Sequence, residues 1–419
     1  MTLLADLLTT VFERRIGFIG PSGTDTRTTD DLVKALVEAT GEESGRTIAV
    51  QILDRYDAFD DAEKNIFFKH LCAQLDINPT RVTTALSAYV ARPEKATYSA
   101  YMNAVEPQRQ EFIRRLNMVP GATERLVRMR ADLLRLSKGD PALGALDLDF
   151  KHLFSSWFNR GFLVLRPINW QSPAHILEKI IAYEAVHAID SWDDLRRRLE
   201  PSDRRCFAFF HPAMPNEPLI FVEVALTKGI VGSVQSLLSE ERVAIPSAAA
   251  DTAIFYSISN CQTGLARISF GNSLIKQVAA DLSFELPSLK TFVTLSPIPG
   301  LMDWLRSHAP RTDPTDHKLL LSLAAHYLIA AKYEDGLPLD PVARFHLGNG
   351  ALVYKVHALA DSSQKGRLQS NGVMVNYLYD LPKVSLNHEK FATSQEIVTS
   401  SEIRTLNAAA EKIQLQETN

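Results

Sequence analysis

Through the first 160 residues, apolar positions recur three and four places apart, which is the period of an amphipathic helix. One such stripe contains Leu32 and Leu36, and further stripes follow it. Residues that favour helix starts precede the stripes, since Asp60 lies three positions before Glu63 and Asn78 is followed by a proline. The pattern predicts successive helices that begin with Thr29 as N-cap, after Asp60 and after Asn78, and that span 123–136 and 150–160.

From Phe162 the pattern changes to short apolar runs of the length of buried strands, with helical periodicity between some of them. Two runs flank the turn-rich sequence PAMPNEP, which indicates an antiparallel hairpin. The predicted elements are strands over 162–168, 206–211 and 219–226 and helices over 175–188 and 191–199. This order is typical of an α+β domain. We therefore predict an all-α bundle over residues 1–160 and an α+β domain over 161–419.

The second half is organised around residues 253–300. An apolar run at Ala253–Ile258 is followed by a loop, by an amphipathic helix at about 272–282, and by a second apolar run at Phe292–Leu295. A strand–loop–helix–strand order favours parallel pairing of the two strands. A loop that leads into a helix N-terminus offers backbone N–H groups and the positive end of the helix dipole, which suit a phosphate. The loop residues predicted to bind it are Ala266, Arg267, Ile268, Ser269, Phe270, Gly271 and Asn272.

Composition narrows the class of protein. The 419 residues are 46% hydrophobic and 22% charged, as in ordinary globular proteins, and the net charge of −4 argues against nucleic-acid binding. No apolar run is long enough to cross a membrane. The N-terminal apolar patch precedes its arginines and lacks a small-residue cleavage site, and the C-terminus is not a peroxisomal address. We expect a cytoplasmic protein.

Cysteine and histidine spacing gives no sign of a metal site. The three cysteines form no CxxC pair and the eleven histidines form no HxH or HxxxH pair, so we expect reduced thiols and no metal. Two polar segments are also assigned from pattern alone. Arg125, Arg128 and Arg130 are predicted to form a solvated helix face, and residues 362–370 a mobile loop.

Several blocks in one order resemble a known family. They are YSISNCQTGL (256–265), FGNSLIK (270–276), TLSPIPG (294–300), FHLGNGA (345–351) and GVMVNYLY (372–379). Together they resemble malonyl-CoA decarboxylases, most strongly from Phe162 to Tyr379. The resemblance implies that the α+β domain has the GNAT acyltransferase-like fold, that the helical domain precedes it, and that the protein is a homo-oligomer, either a dimer or a tetramer.

The resemblance also implies an active site. It assigns catalytic roles to Ser296, at the end of the second strand of the central unit, and to His346, in a helix whose start is marked by Asp340-Pro341. The loop at 266–272 would hold the CoA pyrophosphate. Some family members have a carboxylate where Ser269 stands, which leaves any role of that acid open here. Ser257, on the first strand, is a further candidate for substrate binding, although packing within a buried strand is the alternative.

The implied reaction converts malonyl-CoA to acetyl-CoA and CO2 without a cofactor, because the thioester can itself accept the electrons left by CO2. His346 would hold the malonyl carboxylate and protonate the enolate carbon, with Ser296 binding the carboxylate or carbonyl or accepting a proton. Two alternatives use the same CoA cleft. One is an acyl-CoA-dependent N-acyltransferase, and the other is a non-catalytic acyl-CoA sensor.

Overall fold

The computed structural model describes residues 26–268, 274–310 and 312–412. The chain divides into two compact units. The first, here called the helical unit, contains the described residues as far as Val164, together with Phe210–Leu219 and the segment that begins at Gln262. The second, here called the sheet unit, contains Leu165–Phe209, Ile220–Cys261 and the described residues after 273.

The helical unit is a bundle of successive amphipathic helices whose apolar faces form one core. Side chains start these helices much as the sequence indicates. Asp60 and Glu63 form a capping box, and Asn78 accepts a hydrogen bond from the Arg81 N–H, but the first N-cap is Thr28 rather than Thr29. The helices are α1 (Thr29–Glu38), α2 (Glu42–Ala58), α3 (Asp61–Gln74), α4 (Pro79–Ala91), α5 (Lys95–Val105), α6 (Gln108–Leu116), α7 (Ala122–Leu136) and α8 (Gly144–Trp157).

The arginines of α7 do not share one solvated face. Arg128 is exposed, as the sequence predicted for the cluster, and it pairs with Glu124. The prediction is wrong for Arg130, whose side chain is wholly buried because Asp147 and two backbone carbonyls bind its guanidinium. The Asp147 carboxylate and the two carbonyls replace water at Nε and Nη1, which offsets the cost of burying this charge, whereas the buried Nη2 has no partner among the described residues.

A mixed eight-stranded sheet forms the second half of the chain, in the order β1-β2-β3-β4-β5-β8-β6, with β7 paired to β8. The hairpin predicted from PAMPNEP is present but longer, since only Pro212 and Ala213 connect β2 to β3. The strands are β1 (Val164–Ile168), β2 (Arg204–His211), β3 (Met214–Thr227), β4 (Thr252–Asn260), β5 (Thr291–Thr294), β6 (Ser296–Pro297), β7 (Leu352–His357) and β8 (Met374–Leu378).

β4 and β5 are the parallel pair that the sequence predicts, and they separate part-way along their length. They pair only from Thr252↔Thr291 to Phe255↔Thr294, and the Leu295 N–H makes a last bond to the Phe255 carbonyl. β4 then continues to Asn260 beside β3, which has an irregularity in register after Glu223. β6 instead pairs with β8. The sheet therefore opens between the second half of β4 and β6.

Helices connect and cover these strands. One prediction is wrong here, because residues 364–370 form a helix rather than a loop. Ser363 accepts a hydrogen bond from the Gly366 N–H at its start, and Asn371, with a φ of 51°, ends it in the left-handed region. The helices are α9 (Ala174–Tyr183), α10 (Trp192–Leu199), α11 (Val234–Leu238), α12 (Leu274–Glu285), α13 (Leu301–His308), α14 (His317–Ala330), α15 (Pro341–Gly348), α16 (Gln364–Ser370), α17 (Val384–Ser394) and α18 (Ser401–Ala410).

A search of the described residues for a helix with the length and apolar character needed to span a bilayer finds none.

Candidate active site

A cavity of about 270 Å³ lies in the sheet unit where β4 and β6 separate. One wall comes from the second half of β4, another from β6, and a third from α15. Most of its lining is apolar, which suits an acyl group rather than an extended charged ligand. The lining residues are Val186, Phe255, Tyr256, Ile258, Asn260, Ser296, Pro297, Pro341, Val342, Phe345 and His346.

The two predicted catalytic residues meet in this cavity. Ser296 Oγ lies 3.1 Å from His346 Nε2, although the two residues are 50 positions apart in the chain. Both side chains are buried. A hydroxyl and an imidazole at hydrogen-bond distance can exchange a proton with each other or with a group bound between them.

Local sequence explains why His346 points into the cavity. Asp340 is the N-cap of α15, its carboxylate accepts a 2.8 Å hydrogen bond from the Ala343 N–H, and Pro341 is the first helical residue. This start fixes the phase of a short helix in which His346 lies on the buried face. Burial raises the pKa of Asp340 to about 6, against the opposing effect of backbone hydrogen bonds.

Two tyrosines near the end of β8 hold the imidazole. The Tyr379 hydroxyl lies 2.8 Å from His346 Nδ1, and the Tyr377 ring stacks on the imidazole with centroids 4.5 Å apart and planes 25° apart. A hydrogen bond on Nδ1 and a stacked ring together fix the position and orientation of the imidazole ring. These contacts leave Nε2 facing Ser296.

A second hydroxyl lies behind Ser296. Thr294 Oγ1 is 2.8 Å from Ser296 Oγ and also accepts a 3.1 Å hydrogen bond from the Tyr377 N–H. Either hydroxyl can donate to the other, because hydroxyl hydrogens rotate. If Ser296 donates to Thr294, then His346 Nε2–H donates to Ser296. If Thr294 donates to Ser296, then Ser296 donates to Nε2 and Nδ1–H donates to Tyr379. The chain of groups can therefore hold the imidazole in either neutral tautomer.

Burial dominates the electrostatics of this site. Desolvation lowers the pKa of His346 to about 3, so the imidazole is neutral at ordinary pH when the cavity holds no anion. Burial also raises the pKa of the Tyr379 hydroxyl well above its usual range. Tyr379 can therefore orient the imidazole as a neutral hydrogen-bond partner but is a poor source of protons.

The predicted substrate-binding residue Ser257 is close to the cavity but does not line it. Its hydroxyl donates to the carboxylate of Glu184, at 2.9 and 2.7 Å from the two oxygens. One of these oxygens also accepts hydrogen bonds from the Val186 and His187 N–H groups. Ser257 thus helps to hold the segment that brings Val186 to the cavity wall, and direct contact of Ser257 with substrate stays a prediction.

The predicted phosphate loop is only partly described. Ala266, Arg267 and Ile268 belong to the helical unit, where Ile268 is part of the apolar core and the first two are exposed. Ser269, Phe270, Gly271 and Asn272 lie outside the described residues. Phosphate binding by this loop stays a prediction.

Several residues of the site were not predicted from the sequence. Thr294 and Tyr379 both lie within blocks that carried the family resemblance, but nothing local to either block shows that they contact Ser296 and His346. Tyr377 lies in the last of these blocks as well, but nothing in its local sequence shows that its ring stacks on His346. Among the described residues there is no group of three or more His, Cys, Asp and Glu side chains that could hold a metal ion.

Comparison with known proteins bears on this arrangement. The family model described as the malonyl-CoA decarboxylase C-terminal domain matches residues 161–315 and 310–417, and the model of the N-terminal domain matches residues 75–158. The chain belongs to the malonyl-CoA decarboxylase family. Curated relatives named mitochondrial malonyl-CoA decarboxylase include those of Anser anser anser, 34% identical over 71% of this chain and 69% of the relative, and of Mus musculus, 34% identical over 72% of each.

Solved structures of malonyl-CoA decarboxylases also match. The Rhodopseudomonas palustris structure is 46% identical, with a TM-score of 0.85, and the match covers 90% of this chain and 100% of that structure's chain. The Agrobacterium vitis structure is 48% identical with a TM-score of 0.86, over 90% and 99%. The predicted order of a helical N-terminal region followed by an α+β domain is confirmed by these malonyl-CoA decarboxylase folds and by the observed sheet.

Proposed function

We propose that this protein is a carboxy-lyase that converts malonyl-CoA to acetyl-CoA and CO2, with His346 and Ser296 as its catalytic residues. The observation that carries the proposal is the Ser296–His346 pair, 3.1 Å apart in an apolar cavity of a malonyl-CoA decarboxylase family member. The cavity is large enough for a malonyl group, and we propose that the loop at 266–272 binds the CoA pyrophosphate.

Loss of CO2 needs no cofactor. The carbon–carbon bond breaks, its electron pair passes into the thioester, and the negative charge collects on the enolate oxygen. A site that stabilises this oxygen and removes water from the malonyl carboxylate lowers the barrier. The Ser296 hydroxyl would donate to the carboxylate or the thioester carbonyl, and the apolar lining of the cavity would exclude water from the carboxylate.

The reaction consumes one proton, because the enolate carbon must become a methyl group. A neutral imidazole must first be protonated before it can donate this proton, because burial lowers the pKa of His346. The raised pKa of the Tyr379 hydroxyl makes that group an inefficient proton donor. The substrate solves this problem by bringing a carboxylate next to His346, since an adjacent negative charge raises the imidazole pKa. His346 then takes a proton from solvent, holds the carboxylate as an imidazolium, and donates the proton to the carbon after CO2 leaves.

The test is incubation of the protein with malonyl-CoA in the absence of any amine, followed by mass spectrometry of the CoA esters and quantification of CO2. Equal amounts of acetyl-CoA and CO2 are expected. An N-acyltransferase would leave malonyl-CoA unchanged until an amine was added, and a sensor would bind malonyl-CoA without consuming it. Either result would contradict the proposed reaction.

We further propose that the helical unit joins subunits into a homo-oligomer. Support comes from α4, all of which is described and none of which is buried. It exposes Leu86 and Val90, and α5 exposes Tyr98 and Met102. Apolar side chains concentrated on one helix pair favour a protein–protein contact. Light scattering should give a dimer or tetramer mass for the wild type and a smaller mass for Val90→Lys, whereas a wild-type monomer would contradict the proposal.

We also propose a cytoplasmic location. The support is that no disulfide links Cys72, Cys206 or Cys261, all three of which are described, as expected in a reducing compartment. Fractionation of cells that produce the native protein should recover it with cytoplasmic markers. Recovery with an organelle or the periplasm would contradict this assignment.

A further inference from the structure

Arg130 of the helical unit is wholly buried, and its guanidinium is committed to three groups. Nε donates to the Asp147 carboxylate at 2.8 Å, and Nη1 donates to the carbonyls of Gly264 and Ala266 at 2.7 and 3.0 Å. The two carbonyls are 134 and 136 positions away in the sequence and belong to the loop that follows β4. A buried arginine that donates hydrogen bonds to loop carbonyls fixes the conformation of that loop.

The loop also touches α7 through its backbone. A Cβ at Gly264 would collide with the Val127 carbonyl oxygen, so only glycine allows the approach that brings the loop carbonyls within reach of Arg130. The loop and α7 therefore form one closely packed piece of the helical unit.

Residues 265–268 form a β-turn whose central peptide, between Ala266 and Arg267, is reversed (flipped) relative to that of a type I turn. Ile268 N–H bonds to the Leu265 carbonyl at 3.0 Å, Ala266 has φ −54° and ψ 134°, and Arg267 has φ 62°. These angles are those of a type II turn, which prefers glycine or asparagine at the position that Arg267 occupies. A type I turn would avoid the left-handed region at Arg267, so the local sequence alone does not favour the observed turn.

Arg130 supplies the missing preference. The peptide between Ala266 and Arg267 is trans, so its C=O and N–H point in opposite directions. By binding the Ala266 carbonyl, Arg130 selects the flipped peptide and turns the Arg267 N–H away from α7. In a type I turn this peptide would be reversed and the carbonyl would take the place of the N–H. An outward carbonyl repels an anion, whereas an outward N–H binds one.

We propose that Arg130 is a positioning residue for CoA, which holds the 265–268 turn in the flipped form so that its backbone can bind the pyrophosphate. The proposal rests on the proposed function, in which this loop receives the CoA phosphates. Arg130 would act on CoA binding without touching the substrate.

The test compares malonyl-CoA with malonyl-pantetheine, which has the same reacting group but no phosphates. Arg130→Met should raise the KM for malonyl-CoA about tenfold or more, with little change in kcat, because hydrogen bonds to a charged group contribute about that much. For malonyl-pantetheine, kcat/KM should change less than about twofold. Arg128→Met is the matched control, since it removes an exposed arginine of the same helix. Equal losses on both substrates, or no loss on malonyl-CoA, would overturn the proposal.

Arg130→Lys provides a second test in case the Arg130→Met variant does not fold. Lysine keeps the positive charge but lacks the fork that reaches Asp147 and both carbonyls, so the same selective rise in KM is expected. A lysine variant that matches wild type on malonyl-CoA would show that charge alone suffices and would contradict the positioning role. Binding of CoA and of pantetheine by calorimetry gives the same comparison even if the wild type fails to decarboxylate malonyl-CoA, so failure of the proposed reaction can be distinguished from failure of this proposal.

A double-mutant cycle with Arg267→Gly tests the flipped peptide itself. Glycine adopts the left-handed conformation without strain, so the type II turn no longer needs Arg130 to select it. The rise in KM caused by Arg130→Met should therefore be several-fold smaller in the Arg267→Gly background than in the wild-type background. Additive effects of the two substitutions would contradict selection of the turn by Arg130.

Discussion

His346→Gln tests whether the candidate catalytic imidazole is neutral before substrate binds. The glutamine keeps an amide in the cavity but removes the titrating ring. Burial lowers the pKa of His346 to about 3, whereas an imidazole in the unfolded chain has its ordinary value of about 6.5. The unfolded chain therefore binds more protons than the folded protein between these two pH values. The stability that this group contributes is complete above pH 6.5 and is lost as the pH falls toward 3.

The size of this effect follows from the two pKa values. Between pH 8 and pH 5, proton binding to the unfolded chain costs the wild type about 2 kcal/mol of unfolding free energy through this one group. His346→Gln should lose about 2 kcal/mol less than the wild type over the same interval, as measured by urea titrations at the two pH values. Comparison of the NMR spectra of the two proteins assigns the His346 Cε1 resonance, because it is absent from the variant. In the wild type, the chemical shift of this resonance should not change from pH 8 to pH 5. A resonance that titrates with a midpoint between 6 and 7, or parallel pH dependence of the two proteins, would show that burial does not keep the His346 imidazole neutral.

Three further predictions concern the groups around the imidazole. Tyr379→Phe removes the 2.8 Å partner of His346 Nδ1 and should lower kcat about tenfold with little change in KM, so an unchanged kcat measured by acetyl-CoA release would contradict an orienting role. Thr294→Val removes the hydroxyl bonded to Ser296 and leaves the Tyr377 N–H without its acceptor. It should reduce kcat about tenfold and the free energy of unfolding by about 1–3 kcal/mol. Thr294→Ser keeps the hydroxyl and should restore both, and failure of that rescue would show that packing of the threonine methyl group matters rather than its hydroxyl. Because the malonyl carboxylate raises the imidazole pKa, the pH profile of kcat should report a higher apparent pKa for His346 than the free enzyme has, and identical values would contradict proton uptake on binding.

Elements with local signals were predictable from the sequence. The capping box of Asp60 and Glu63, the Asn78 cap and the Asp340-Pro341 start of α15 all depend on residues within one helical turn. The parallel pairing of β4 with β5 follows from the strand–loop–helix–strand order. Residues 364–370 were misjudged because their polar composition outweighed the Ser363 cap, which is itself a local signal.

Contacts between distant segments were not predictable in the same way. Burial of Arg130 depends on carbonyls more than 130 positions away, and an arginine-rich helix face looks solvated until that loop is placed. The Tyr379 contact with His346 depends on how β8 lies beside β5 and β6, which no periodicity encodes. Ser296 and His346 were paired only through the family resemblance. Spacing alone would have left both as ordinary structural residues.

The central claim is that Ser296 and His346 together carry the decarboxylation of malonyl-CoA. The most direct measurement is the single-turnover rate of acetyl-CoA formation by wild type, Ser296→Ala and His346→Ala, with acetyl-CoA affinity measured for each. We expect losses of about 10²- to 10⁴-fold in rate for His346→Ala and a large loss for Ser296→Ala, with affinities near that of the wild type. A His346→Ala protein that binds acetyl-CoA normally and decarboxylates malonyl-CoA at nearly the wild-type rate would contradict the claim.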